Sequence, residues 1–164
     1  MDSDRPVLAL DVDGVISLFG FEGPISGAPG RLHLINGMAH CIPDGIGGML
    51  ERLASSYEIV WATGWEDRAN ERLPDILGLP GQLPFLTFDG RARFGTAHWK
   101  IDALDRYAGE RALAWVDDSI DVTCRAWADE RSAPTLLVQT EPHIGLTERH
   151  VEALLGWVHA GYTA

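Results

Sequence analysis

Short apolar runs bounded by turn residues recur along this chain and alternate with stretches of helical period, a rhythm that points to βαβ units feeding a parallel sheet. Five such runs, at 7–11, 58–62, 84–88, 113–117 and 135–138, are short and rich in apolar or β-branched residues, as buried strands are. Helices are expected between them at 42–56, 66–77, 100–107 and 119–129, with Pro74 kinking or ending the second. A last helix over 147–160 opens on Thr147, whose hydroxyl suits a cap, and presents Val151, Leu154, Leu155 and Val158 to the core. The class is therefore α/β, with a central parallel sheet of about five strands.

Residues 17–41 break this rhythm. They hold many Gly and Pro residues around the alternating piece Arg31-Leu32-His33-Leu34-Ile35, which reads as a flap carrying a small hairpin. With 164 residues and no linker-like tract, the span 1–164 is expected to form one domain. A hydrophobic fraction of 46% and a charged fraction of 23% are ordinary for a globular chain. The net charge of −11 argues against broad, non-specific nucleic-acid binding, so any such contact needs a local basic patch. Cys41 and Cys124 lack metal-type spacing, no apolar run approaches membrane-spanning length, and the first residues carry no secretion-type pattern. A cytoplasmic protein away from the membrane is the expectation.

The chemistry concentrates at strand ends. Leu8-Ala9-Leu10-Asp11-Val12-Asp13-Gly14-Val15 is a buried-type strand that delivers two carboxylates and a glycine at its C-terminal end, where open α/β sheets bind ligands. Two close carboxylates are costly unless a cation or a shared proton relieves them, and a hard divalent metal would do so. The second core strand leads into Thr63-Gly64, a hydroxyl and a backbone N–H suited to an anionic oxygen. Lys100 opens the third helix, where a compact cation can offset developing charge, and the fourth strand ends in the hard oxygen pair Asp117-Asp118. Each piece alone has a plainer reading: Asp pairs after strands form turns, Thr63 caps a helix, and Lys100 is a solvated surface charge. Their order and their placement after core strands favour a site.

Taken together, the chain resembles the haloacid dehalogenase-like superfamily over nearly its whole length. The four motifs are Asp11-Val12-Asp13-Gly14-Val15, Trp61-Ala62-Thr63-Gly64, Lys100 and Val116-Asp117-Asp118, the first and last being the specific ones. More narrowly, Trp61-Ala62-Thr63-Gly64-Trp65-Glu66, Ala114-Trp115-Val116-Asp117-Asp118 and Gly145-Leu146-Thr147 resemble the actinobacterial branch of such domains associated with RNA repair.

The resemblance implies a three-layer Rossmann-like fold with helices on both faces of the sheet. It also implies a magnesium-dependent phosphatase in which Asp11 attacks phosphorus to form an aspartyl-phosphate and Asp13 acts as general acid and then base. Magnesium would be held by Asp11, the Asp13 main-chain carbonyl, Asp117 and, through water, Asp118. Thr63, the Gly64 amide and Lys100 would hold the phosphoryl oxygens. An aspartate at position 13 favours phosphate esters over dehalogenation, because an alkoxide leaving group needs a proton.

Once helix and strand are assigned, the gaps between motifs have room for the flap but not for a large cap domain. An open site suits a phosphorylated small molecule or a nucleic-acid end, and the flap or another subunit could close it. Arg31, His33, Arg91 and Arg93 are the charged candidates for a substrate rim, against the plain reading of solvated loop charges. For Trp65, core packing is the first reading and stacking on a base the second. Within enzymes the competing activity is phosphoryl transfer to another acceptor. Outside them it is a catalytically inactive phosphate- or partner-binding module, disfavoured because every expected catalytic side chain is present.

Overall fold

Alternate residues of the central strands serve opposite faces of one sheet, so a single run such as Val7-Leu8-Ala9-Leu10 feeds two cores at once. Leu8 and Leu10 pack into one buried cluster, Val7 and Ala9 into the other. The computed structural model describes residues 4–163; residues 1–3 and 164 of the expected domain span lie outside the described residues.

In chain order the regular elements are β1 (Val7–Leu10), β2 (Arg31–Ile35), β3 (Met38–Ile42), α1 (Ile46–Ala54), β4 (Glu58–Trp61) and α2 (Ala69–Leu77). They continue with α3 (Ile101–Ala108), β5 (Leu113–Asp117), α4 (Val122–Glu130), β6 (Thr135–Gln139) and α5 (Glu148–His159). The main sheet has four strands in the order β4-β1-β5-β6, all parallel, with Leu10 opposite Trp61 on one side and Val116 on the other.

Helices cover both faces, giving the three-layer α/β arrangement. Ile46, Leu50 and Leu53 of α1, Leu73 of α2 and Val151, Leu154 and Trp157 of α5 join Leu8 and Leu10. Ala103 and Leu104 of α3 and Cys124 of α4 join Ala9, Val60 and Trp115. Thr147 caps α5 as expected, accepting the N–H of His150 while His150 Nδ1 accepts the N–H of Thr147, a reciprocal cap at 3.4 and 3.1 Å. Among the described residues no helix is long and apolar enough to cross a membrane.

Three expectations need correction. The fifth strand, 84–88, makes a single parallel bridge, Trp61 with Phe85, through Trp61 N–H to Pro84 O (2.8 Å) and Leu86 N–H to Trp61 O (2.9 Å). Pro84 has no N–H to extend the ladder, and at the other end the Phe88 N–H donates to the Glu66 carboxylate at 3.0 Å instead. The helix expected over 66–77 begins as a short 3-10 turn (Glu66–Arg68). Pro74 then lies inside α2 rather than ending it; the helix stops at Gly78, whose φ of 67° is the left-handed conformation glycine tolerates.

The flap is a two-stranded antiparallel hairpin, β2 with β3, whose register pairs Ile35 with Met38. Its two-residue turn is Asn36-Gly37, with φ of 49° and 80°, the backbone that an Asn-Gly pair supplies and that matches strand twist. No large cap domain is inserted among the described residues. The hairpin and the 3-10 turn before it are the regular elements between β1 and α1.

Candidate active site

Each core strand that the sheet brings side by side ends in a polar group, and parallel alignment sends those ends to one edge. Asp11 directly follows β1, Thr63 follows β4, Asp117 is the last residue of β5, and Lys100 ends the 3-10 turn His98–Lys100 before α3. All four are buried.

Lys100 is the hub. Its ammonium donates to the Ala62 carbonyl at 2.7 Å and to Asp117 Oδ2 at 2.6 Å, and lies 3.1 Å from Asp11 Oδ1. Asp117 Oδ1 accepts the Ser119 N–H at 2.9 Å, and Asp11 Oδ1 accepts the Val12 N–H at 2.8 Å, so both carboxylates are held from two sides. Carboxylate oxygens of Asp11, Asp117 and Asp118 lie within 4.8 Å of one another.

The loop after β1 makes this convergence possible. Val12 O accepts the N–H groups of Val15, Ile16 and Ser17, and Gly14 O accepts the Thr140 hydroxyl at 2.8 Å. Gly14 has a φ of +78°, and a Cβ there would stand 2.4 Å from Asp118 Oδ2, so glycine both permits the turn and admits the Asp118 carboxylate.

Electrostatics follow from this crowding. Burial pushes the Asp11 carboxyl well above the usual carboxylate range; Lys100 opposes the shift and Asp117 adds to it. Burial and then the Asp117 charge raise Asp118 as well. For Lys100, burial alone would lower the pKa, but Asp11 and Asp117 outweigh it and hold the ammonium above its ordinary value. With all three carboxylates ionised, one ammonium would leave a formal excess of two negative charges. A hard divalent cation matches both that deficit and the all-oxygen donor set.

The remaining expected residues divide. Thr63 Oγ1 accepts the Trp65 N–H at 3.2 Å, and Gly64 is exposed beside it at the mouth of a cleft of about 460 Å³. Asp13 is exposed, and its carboxylate is not in the acidic cluster; its Oδ2 accepts the Trp65 indole N–H at 2.8 Å. Trp65 packs against the first core, as its first reading had it, and one side of it also lines the cleft. Arg93 lines the cleft as well.

Arg31 does not. It pairs with Asp44 at 3.2 Å and, with His33, lines a separate depression near the start of α1. The reason is hairpin direction. Arg31 pairs with Ile42 at the open base, whereas the residues around the Asn36-Gly37 tip overhang the cleft. Arg91 turns outward to Asp102 at 3.5 Å.

Sequence reasoning missed Ile35, Met38 and His40 of the hairpin, together with Arg68 and Phe94, all of which line the cleft. Asn36-Gly37 was the available signal, since it sets the register and hence which side chains of β3 share a face.

A buried aspartate after β1, a threonine after β4, a buried lysine and an acidic pair, in this order on a parallel sheet with no large cap among the described residues, fit a haloacid dehalogenase-like (HAD) domain, a class of phosphatase-type hydrolases. The family model described as "HAD domain in Swiss Army Knife RNA repair proteins" matches residues 7–151, and the chain belongs to that family. A search of curated proteins gave no match.

Proposed function

We propose that this protein is a magnesium-dependent phosphomonoesterase working through an aspartyl-phosphate on Asp11, within one catalytic domain. The observation that carries this reading is the meeting of Asp11, Asp117 and Asp118 within 4.8 Å, with the Lys100 ammonium bridging the first two.

Asp11 attacks the phosphorus in line, breaking the bond to the ester oxygen and forming an acyl phosphate. Asp13, outside the acidic cluster and facing the cleft, gives its proton to the departing oxygen and then takes one from the water that hydrolyses the acyl phosphate. Thr63, the Gly64 amide and Lys100 hold the phosphoryl oxygens, and Lys100 also offsets the charge of Asp11 and Asp117. Asp11, the Asp13 main-chain carbonyl, Asp117 and Asp118 would hold the magnesium. When bound, it supplies charge neutralisation between nucleophile and phosphate.

The rim supports a nucleotide or a nucleic-acid end as substrate. Arg68 and Arg93 place positive charge at the mouth of a strongly acidic protein, and Phe94 beside Arg93 is fully exposed, as a stacking surface for a base is. With no large cap, the cleft admits a bulky end, and the family's description is in keeping with RNA. Two free, buried cysteines, Cys41 and Cys124, fit a reducing cytoplasm.

The test is phosphate release from 5′- and 3′-phosphorylated oligonucleotides and from mononucleotides, with magnesium or with EDTA. Asp11→Asn, nearly isosteric, should remove turnover while leaving the melting temperature close to the parent's. Full activity in that variant, or parent protein inert on every ester, would overturn the proposal.

A further inference from the structure

Asp13 is the exposed acid of the constellation, and a solvent-facing carboxylate samples several rotamers unless something holds it. The structure supplies a holder. The Trp65 indole N–H donates to Asp13 Oδ2 at 2.8 Å. Trp65 is itself fixed: its backbone N–H is bonded to Thr63 Oγ1, its ring packs on the core, and His40 of β3 meets it edge-on with ring centroids 4.8 Å apart. His40 Nδ1 is in turn 2.8 Å from the hydroxyl of the buried Ser17. Ser17 closes the circuit, since its carbonyl accepts the Gly14 N–H at 2.8 Å and it bridges Asp13 in the β1 loop.

We propose that Trp65, braced by His40 and Ser17, is the positioning residue for the general acid–base Asp13. The role rests on the hydrolase reading above. An indole is suited to it chemically, because its N–H is a donor only and brings no acid–base group of its own to compete with Asp13. It engages Oδ2 and leaves Oδ1 to give a proton to the departing ester oxygen and to take one from the hydrolytic water. Because His40 belongs to the flap hairpin, the same contacts tie the seating of the flap to the aim of the acid.

Trp65→Phe keeps an aromatic ring against His40 and removes the donor. Two esters separate a positioning role from a packing or stacking one. p-Nitrophenyl phosphate has a leaving group that needs no proton, whereas an alkyl phosphate has one that does. For the alkyl ester kcat/KM should fall about tenfold or more, in kcat rather than KM, a part of what a general acid contributes. For p-nitrophenyl phosphate it should change less than about twofold.

Equal losses on both esters, or a loss confined to KM, would overturn the proposal. Among the six tryptophan indole resonances, the one missing in Trp65→Phe should move upfield in Asp13→Ala, independent of turnover. An unmoved resonance overturns the hydrogen bond and the role with it. Parent protein inert on both esters sinks the hydrolase reading as well. Failure of this inference alone leaves an active parent and an indiscriminate variant.

Discussion

Gly14→Ala is the smallest change that separates the backbone of the site from its charges. At φ +78° an alanine pays the left-handed penalty of about 1–2 kcal/mol. Its Cβ would also lie 2.4 Å from Asp118 Oδ2, 2.5 Å from Cγ and 2.8 Å from Cβ, so the carboxylate must withdraw. A retreat of roughly 1 Å restores ordinary contact, and overpacking of this kind costs about 1–3 kcal/mol.

The two effects together destabilise the protein by about 2–5 kcal/mol, measured by urea denaturation in EDTA. Asp118 is simultaneously drawn away from Asp11 and Asp117, so magnesium affinity measured by calorimetry should fall. In an Asp118→Ala background the two nearest atoms are gone, and the cost of Gly14→Ala should shrink by about 1–2 kcal/mol towards its backbone part. An identical cost in both backgrounds, or undiminished magnesium affinity in the single variant, would refute the close approach on which the cluster depends.

Lys100→Met removes the one buried ammonium from the acidic pair, and denaturation without metal should show a loss of about 3–5 kcal/mol, with turnover reduced at least a hundredfold; parent-like stability and rate would contradict its role as hub. Adjacent glycines of α1 should respond with opposite sign. Gly48 faces open space, so Gly48→Ala stabilises by about 1 kcal/mol, whereas a Cβ on Gly47 would meet the Leu77 carbonyl oxygen at 1.9 Å, so Gly47→Ala destabilises by about 3 kcal/mol, both read from thermal melts. At the rim, Arg93→Ala should lower kcat/KM on a phosphorylated oligonucleotide several-fold, most at low salt, while Arg31→Ala, paired away from the cleft with Asp44, leaves it unchanged.

Much of the fold was legible because core strands betray themselves by being apolar on both faces. Leu8 and Leu10 enter one core, Val7 and Ala9 the other, and the run reads as continuous. The catalytic candidates were legible for the same reason, since Asp11, Thr63 and Asp117 come directly at the ends of such runs.

What could not be read depended on tertiary competition for single groups. The 84–88 run has strand composition, yet Pro84 lacks a donor and Glu66 takes the Phe88 N–H, so pairing stops after one bridge. Arg31 and Arg93 are alike in a sequence. They differ because the hairpin carries Arg31 at its base, away from the cleft, whereas the loop before the 3-10 turn His98–Lys100 brings Arg93 to it. The bond from Trp65 to Asp13 spans 52 positions, and no local pattern announces it.

The proposed chemistry requires Asp11 to carry the phosphoryl group. Acid quenching during turnover of a phosphorylated oligonucleotide, followed by mass spectrometry of the digested protein, should find one phosphoryl group on the peptide containing Asp11. The adduct should require magnesium and be absent from Asp11→Asn. A phosphoryl group on another residue, or an adduct that survives Asp11→Asn, would contradict it.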